Sequence, residues 1–205
     1  LLSSNFKVMP DRIEAGTFAL LVLWCSGELT LTNINYEIYK HLKDIFKPIK
    51  LLEIKKIDNK SFLVKKIKEG NLNLKITTKE YPGFPTDLQA QLTSALLKIK
   101  GKTEINEKIF ENRFMHVSEL RRMGAKIKKK GSKVEITGVK EIYGAELMAT
   151  DLRASSCLII AGLMANGKTI INRVYHLDRG YENIEKKLKA CGVKIDRIKR
   201  WRKWY

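Results

Sequence analysis

Three arginines and two aspartates in this chain of 205 residues have side chains and spacings that could do chemistry together. Asp87 and Asp151 each follow a threonine and precede an apolar run, and Arg153 lies one turn further in. Arg113 follows Glu111-Asn112, and Arg179 sits within HLDRGYE. A guanidinium is a planar, permanently charged fork that suits a phosphate or a carboxylate. A carboxylate at a helix start can accept a hydrogen bond or a proton from a substrate hydroxyl. Each residue also has a plainer explanation: Asp87 as a helix cap, Arg113 paired with Glu111, and Arg179 paired with Asp178. Residue type alone leaves both readings open. His116 and His176 stand singly on or beside helices and read as structural.

The elements that must position these residues repeat along the chain. Thr86-Asp87 aligns with Thr150-Asp151 at an offset of 64, Gly101-Lys102-Thr103 with Gly167-Lys168-Thr169 at 66, and Gly124 with Gly192 at 68. In each copy, Thr-Asp opens an apolar helix (88–97; 152–164) and Gly-Lys-Thr ends it. A β-branched strand follows (103–105; 169–174). A loop carrying Arg113 or Arg179 then leads to a second, amphipathic helix, closed by Gly124 or Gly192 and followed by another strand. A weaker copy lies upstream, with helices over 15–25 and 36–46, a strand over 29–33, and two or more strands within 51–76. The pattern predicts one α/β domain over 1–205, made of three β-α-β-α-β repeats (about 9–78, 79–142 and 143–198) with pseudo-threefold symmetry and a basic tail at 199–205.

One motif misleads. Residues 162–169, GLMANGKT, satisfy the phosphate-binding pattern GxxxxGK[ST] at every specified position. That loop needs a strand before it and a helix after it, so that backbone amides face the phosphate. Here an apolar helix leads in and the strand TIINRVY leads out, so the glycines read as a helix-ending turn.

Forty basic against twenty-two acidic side chains leave a formal charge of +18, which raises the alternative of a non-catalytic module binding RNA or another polyanion. Thirty of the forty are lysines scattered through the chain, which points to surface composition rather than a binding stripe. The apolar stretch 18–25 is short of the roughly 20 residues that span a bilayer, and no secretory signal precedes it. Cys25, Cys157 and Cys191 form no CxxC pair and predict reduced, mostly buried thiols in a cytoplasmic protein, without a metal site. The opening Leu-Leu-Ser-Ser suggests a segment of something longer. The closing IKRWRKWY reads as a frayed tail.

Five ordered motifs carry a resemblance: PDRIEAGTF (10–18), PGFPTDLQAQ (82–91), IFENRFMHVSELRRMGA (109–125), MATDLRAS (148–155) and YHLDRGYENIEKKL (175–188). Together they resemble the enolpyruvyl transferase family, and FPTDLQAQ and DLRAS resemble its UDP-N-acetylglucosamine 1-carboxyvinyltransferase branch. The resemblance implies two inside-out α/β barrel domains of three repeats each, closing over substrates, with this chain as the C-terminal domain and the N-terminal domain absent.

The implied reaction joins the 3-hydroxyl of UDP-N-acetylglucosamine to C2 of phosphoenolpyruvate, and the tetrahedral intermediate then loses phosphate. It opens peptidoglycan synthesis and uses no metal or cofactor. By the same resemblance, Asp87 contacts the sugar 3-hydroxyl as the candidate base and Ile109 meets the UDP-sugar. Arg113, Arg153 and Arg179 gather the anionic groups of phosphoenolpyruvate, Asp151 positions them, and Asp11 and Arg12 act in domain closure. The family's N-terminal lysine-asparagine pair and its loop bearing a cysteine or aspartate acid have no counterpart here. The expectation is a half-cleft, inactive alone, that works with the missing domain and needs neither nucleic acid nor membrane.

Overall fold

The computed structural model describes residues 3–24, 27–68 and 70–198. Cys25 and the basic tail at 199–205 lie outside the described residues. Three helices share an unusual burial. Helix α1 (Arg12–Leu21) starts at Asp11, whose carboxylate accepts from the Ile13 amide at 2.7 Å, and eight of its ten residues are buried. Every residue of α3 (Gln89–Ala95) is buried, including Gln89, Gln91, Thr93 and Ser94. Helix α5 (Leu152–Met164) buries every residue from Ala154 to Ala161. A helix buried on all sides must be surrounded by other elements.

The strands form that cover. Strands β1 (Glu28–Leu31), β3 (Phe62–Lys66) and β2 (Leu52–Lys56) make an antiparallel sheet in that order. A second sheet runs β4 (Leu74–Thr77), β5 (Lys102–Asn106), β7 (Lys133–Thr137) and β6 (Lys126–Lys130), with only β4 and β5 parallel. Strands β8 (Glu146–Met148) and β9 (Ile170–Asn172) form a parallel pair. Along β5 and β7 buried residues alternate with more exposed ones, as expected where one face packs on helices and the other meets solvent. Helices inside and sheets outside make this an inside-out α/β fold. Helices α2 (Tyr36–Phe46), α4 (His116–Arg122) and α6 (Ile184–Ala190) are amphipathic and bury one face each.

Several expectations shift. Strand β4, assigned by spacing to the first repeat, pairs with β5 and so completes the second sheet. The strand expected over 169–174 is only Ile170–Asn172, because Arg173 takes a left-handed conformation (φ 59°) and a 3₁₀ helix, Val174–Arg179, follows. No strand follows Gly192 among the described residues. The 162–169 segment is a helix-ending turn: α5 ends at Met164, Gly167 adopts φ +88°, and β9 leads away. Gly101 does the same work at φ +115°, where a Cβ would stand 2.3 Å from the Leu72 carbonyl oxygen. Of the thiols, Cys157 is buried and pushed up to about 12 by that burial, whereas Cys191 is exposed.

Lys126, Lys128, Lys129 and Lys130 all lie on β6, an edge strand, and all are exposed. Charge there discourages edge-to-edge pairing between molecules.

The three inner helices run parallel. Gly16 packs on Leu88 and Trp24 Nε1 donates to the Ala95 carbonyl at 2.7 Å, so α1 and α3 advance together. Ser94 Oγ donates to the Cys157 carbonyl at 2.8 Å and Lys98 Nζ to the Met164 carbonyl at 3.4 Å, so α3 and α5 do too. One polar knot joins all three repeats: Thr17 Oγ1 lies 2.8 Å from Tyr181 Oη, and Gln91 Nε2 donates to both at 3.3 Å. Tyr181 is 2% exposed. Tyr181→Phe should therefore remove the hydrogen bonds to Thr17 and Gln91, leave one buried Gln91 N–H without its acceptor, and lower stability by about 1–2 kcal/mol. A urea denaturation midpoint unchanged from wild type would contradict this role.

Candidate functional site

Parallel packing of α3 on α5 brings their N-terminal ends side by side, and the charged residues meet there. Asp87 lies in a 3₁₀ turn, Thr86–Leu88, that runs directly into α3. The residue at the cap position is Pro85, and no side chain caps the turn. The Asp87 carboxylate instead accepts from Arg113 Nη2 at 2.8 Å and from Arg153 Nε at 3.0 Å, both on Oδ1. The cap explanation of Asp87 is thereby set aside. Its repeat counterpart Asp151 is a cap, accepting from the Arg153 and Ala154 amides at 2.8 and 2.9 Å. Equivalent positions have diverged: Asp151 starts a helix, and Asp87 holds two cations.

Each arginine arrives from a different element. Arg113 is in the loop between β5 and α4, stacked 4.7 Å over the Phe110 ring. Arg153 is in the first turn of α5. The side chains are 21% and 20% exposed, against 34% for Asp87, so the cluster is half-buried with a face still open to solvent. Glu111 is not the partner of Arg113, because the guanidinium reaches across to the Thr86-Asp87 turn.

Arg179, at the end of the 3₁₀ helix Val174–Arg179, is exposed and has no hydrogen bond or ion pair among the described residues. Asp178 pairs with Arg197 instead, through two contacts of 2.7 Å. The structure thus gathers Asp87, Arg113 and Arg153, with Asp151 beneath Arg153, and leaves Arg179 outside the ion-pair network. Asp11 caps α1, and the Arg12 guanidinium lies 5.3 Å over the Tyr81 ring.

The sequence reading missed Glu107, at the end of β5. It is 3% exposed and accepts from the Thr78 hydroxyl (2.7 Å), the Thr86 hydroxyl (2.8 Å) and the amides of Ile109 (2.9 Å) and Phe110 (3.1 Å). Its adjacency to IFENR was the one available signal. Ile109 is partly exposed at the head of that loop. The loop and the β6–β7 turn line a depression of about 590 Å³ that includes Ile109, Phe110, Asn112, Lys129 and Ser132.

The electrostatics set the protonation states. Partial burial tends to raise the Asp87 carboxyl, but the hydrogen bonds and charges of Arg153 and then Arg113 outweigh it and hold the group below its ordinary value. Asp87 is therefore an anion at neutral pH. Burial pushes His116 down to about 4, with Asp151 opposing and Arg113 adding to the effect, so it is a neutral ring in the core. Among the described residues no cluster of His, Cys, Asp or Glu could hold a metal ion, and no helix is long and apolar enough to cross a membrane.

A carboxyl depressed by folding adds stability that is present above its unfolded-state value of about 3.8 and disappears as pH falls through its lower folded-state value. Asp87→Asn should accordingly destabilise the fold at pH 7, and the difference from wild type should shrink as pH is lowered below about 4. Paired urea melts across that range check it, and a pH-independent difference would contradict the ion-pair assignment.

Comparisons with known proteins bear on the fold and the family. Residues 1–188 match the family model described as EPSP synthase (3-phosphoshikimate 1-carboxyvinyltransferase). The UDP-N-acetylglucosamine 1-carboxyvinyltransferase of Pelagibacter ubique (strain HTCC1062) is 52% identical over 195 residues, 95% of this chain and 46% of that protein. Its namesake from Chelativorans sp. (strain BNC1) is 46% identical over 97% of this chain and 46% of its own length. Among solved structures, the enolpyruvyl transferase NikO from Streptomyces tendae matches with a TM-score of 0.79 at 25% identity, over 90% of this chain and 43% of that one. EPSP synthase from Acinetobacter baumannii shares the fold, with a TM-score of 0.69 at 18% identity over 94% of this chain and 45% of its own. This chain spans a little less than half the length of the curated relatives it matches. With the inside-out fold, the repeats and the whole-chain match in accord, the chain belongs to the EPSP synthase family of enolpyruvyl transferases.

Proposed function

We propose that this chain supplies one wall of the cleft of a UDP-N-acetylglucosamine 1-carboxyvinyltransferase, which transfers the enolpyruvyl group of phosphoenolpyruvate to the sugar 3-hydroxyl. The observation that carries the reading is Asp87 held between two guanidiniums, from Arg113 at 2.8 Å and Arg153 at 3.0 Å, at an open rim. The names of relatives about half identical to the chain support the choice of substrates.

The chemistry follows from the charges. Phosphoenolpyruvate brings a phosphate and a carboxylate, and each competes with Asp87 for the guanidinium forks. As Arg113 and Arg153 turn to the substrate, Asp87 loses the neighbours that depress its basicity and can accept the proton of the 3-hydroxyl. The hydroxyl oxygen then bonds to C2, while C3 takes a proton from an acid on the opposing wall. Loss of a proton from C3 and cleavage of the C2–phosphate bond give the enolpyruvyl ether and inorganic phosphate. Arg113, Arg153 and the exposed Arg179 stabilise the charge on the departing phosphate.

In the same reading Ile109 contacts the UDP-sugar, Asp151 fixes Arg153 through the helix start, and Asp11 and Arg12 act in closure. The opposing wall is an N-terminal domain of the same enzyme. The protein would work in the cytoplasm at the first committed step of peptidoglycan synthesis, serving cell wall biogenesis, cell shape and cell division without a metal or cofactor.

These 205 residues alone should release no phosphate from phosphoenolpyruvate and UDP-N-acetylglucosamine, because acid and base must converge from two walls; turnover at a full enzymatic rate would contradict the half-cleft. With both walls present, Asp87→Ala should lower kcat by about a thousandfold or more with an unchanged circular dichroism spectrum. Near-normal turnover would remove Asp87 from its role.

A further inference from the structure

We propose that Thr86 and Glu107 form a positioning relay that aims the Arg113 guanidinium at the anion site and keeps it there when Asp87 lets go. The relay rests on the assignment of Arg113 to an anionic substrate, but its geometry does not involve the substrate at all.

Beside its stacking on Phe110, Arg113 has two hydrogen-bonding anchors. Nη2 donates to Asp87, and Nη1 donates to Thr86 Oγ1 at 3.0 Å. Only the first is contested by an incoming anion. The second ends on a hydroxyl whose direction is fixed from behind. Thr86 Oγ1 donates to Glu107 Oε2 at 2.8 Å, and the other carboxylate oxygen accepts from the Thr78 hydroxyl and the Ile109 and Phe110 amides. Amides only donate, and with four donors converging on two oxygens Glu107 serves as an acceptor. The Thr86 proton must then point to Glu107, which leaves its lone pairs facing Arg113. The chain runs in one direction: Arg113 to Thr86 to Glu107.

The same carboxylate holds the backbone that carries Arg113. The Lys108 amide donates to Thr78 Oγ1 at 2.8 Å, so three consecutive amides, at Lys108, Ile109 and Phe110, end on the Thr78–Glu107 pair. Glu107 is almost fully buried, and a buried carboxylate with this many donors is costly to move. A rigid post therefore stands under a mobile charge: a guanidinium that changes partner on one nitrogen needs a fixed partner on the other, or it pays rotamer entropy at every binding event.

Thr86 separates this role from simple packing, because valine keeps its shape and serine keeps its hydroxyl. In the full chain carrying Asp87→Ala, which leaves Thr86 as the side-chain hydrogen-bond partner of Arg113, the resolved side-chain NMR signals of the Arg113 guanidinium should be averaged by rotation when Thr86→Val is added and retained when Thr86→Ser is added. Phosphoenolpyruvate affinity, read by titration, should fall about tenfold in Thr86→Val, as for the loss of one hydrogen bond to a charged group, and stay within about twofold in Thr86→Ser. The proposal is overturned if Arg113 stays ordered when Asp87→Ala and Thr86→Val are combined, or if serine behaves as badly as valine. If Arg113 responds as expected while neither wild type nor variants bind phosphoenolpyruvate with both walls of the cleft present, the relay stands and the substrate assignment falls.

Discussion

The structure depends on one constraint: α1, α3 and α5 bury most of their residues, those of α3 without exception. Helix α3 packs against both α1 and α5, and the arrangement that encloses all three is a parallel cluster with sheets outside. The chemistry follows from that packing. Parallel helices set their N-terminal ends at one rim, and α3 beside α5 puts the Thr86-Asp87 turn within reach of Arg153. The β5–α4 loop delivers Arg113 to the same rim. Asp87 and its cations are 26 and 66 residues apart in sequence, so the cluster exists only because the repeats pack as they do.

Much of this was legible in the residues. The paired Thr-Asp and Gly-Lys-Thr signals gave the helix starts and ends, and their order exposed GLMANGKT as a turn rather than a phosphate loop. Local chemistry sufficed because each of those signals acts over a few residues. What failed was non-local. Asp87 and Asp151 look alike in sequence, yet only one caps its helix, because the cations that claim Asp87 are supplied by tertiary packing. Strand β4 follows the first repeat's strands in order but joins the second sheet, since its parallel partner β5 lies beyond α3. The strand expected after Gly192 has no counterpart among the described residues, although α4 at the equivalent place is followed by two.

Glu107 shows the limit most clearly. Apart from its place beside IFENR, nothing distinguishes it from a surface acid, and a chain with thirty lysines offers many apparent partners. Its actual partners are two hydroxyls and two amides, none of them charged. The net charge says little about the site for a related reason. Lysines on the edge strand β6 are solvated, while the two arginines gathered at Asp87 are marked by place rather than by number.

The central claim is that the arginines exchange Asp87 for an anionic substrate, turning a held carboxylate into a base. Carbon-13 NMR of the Asp87 carboxyl, titrated with acid in the free full chain and again with phosphoenolpyruvate bound, tests it directly. The account predicts a midpoint below the ordinary carboxylate value in the free protein and a clear rise on binding. A midpoint that does not move, or that falls, would contradict it.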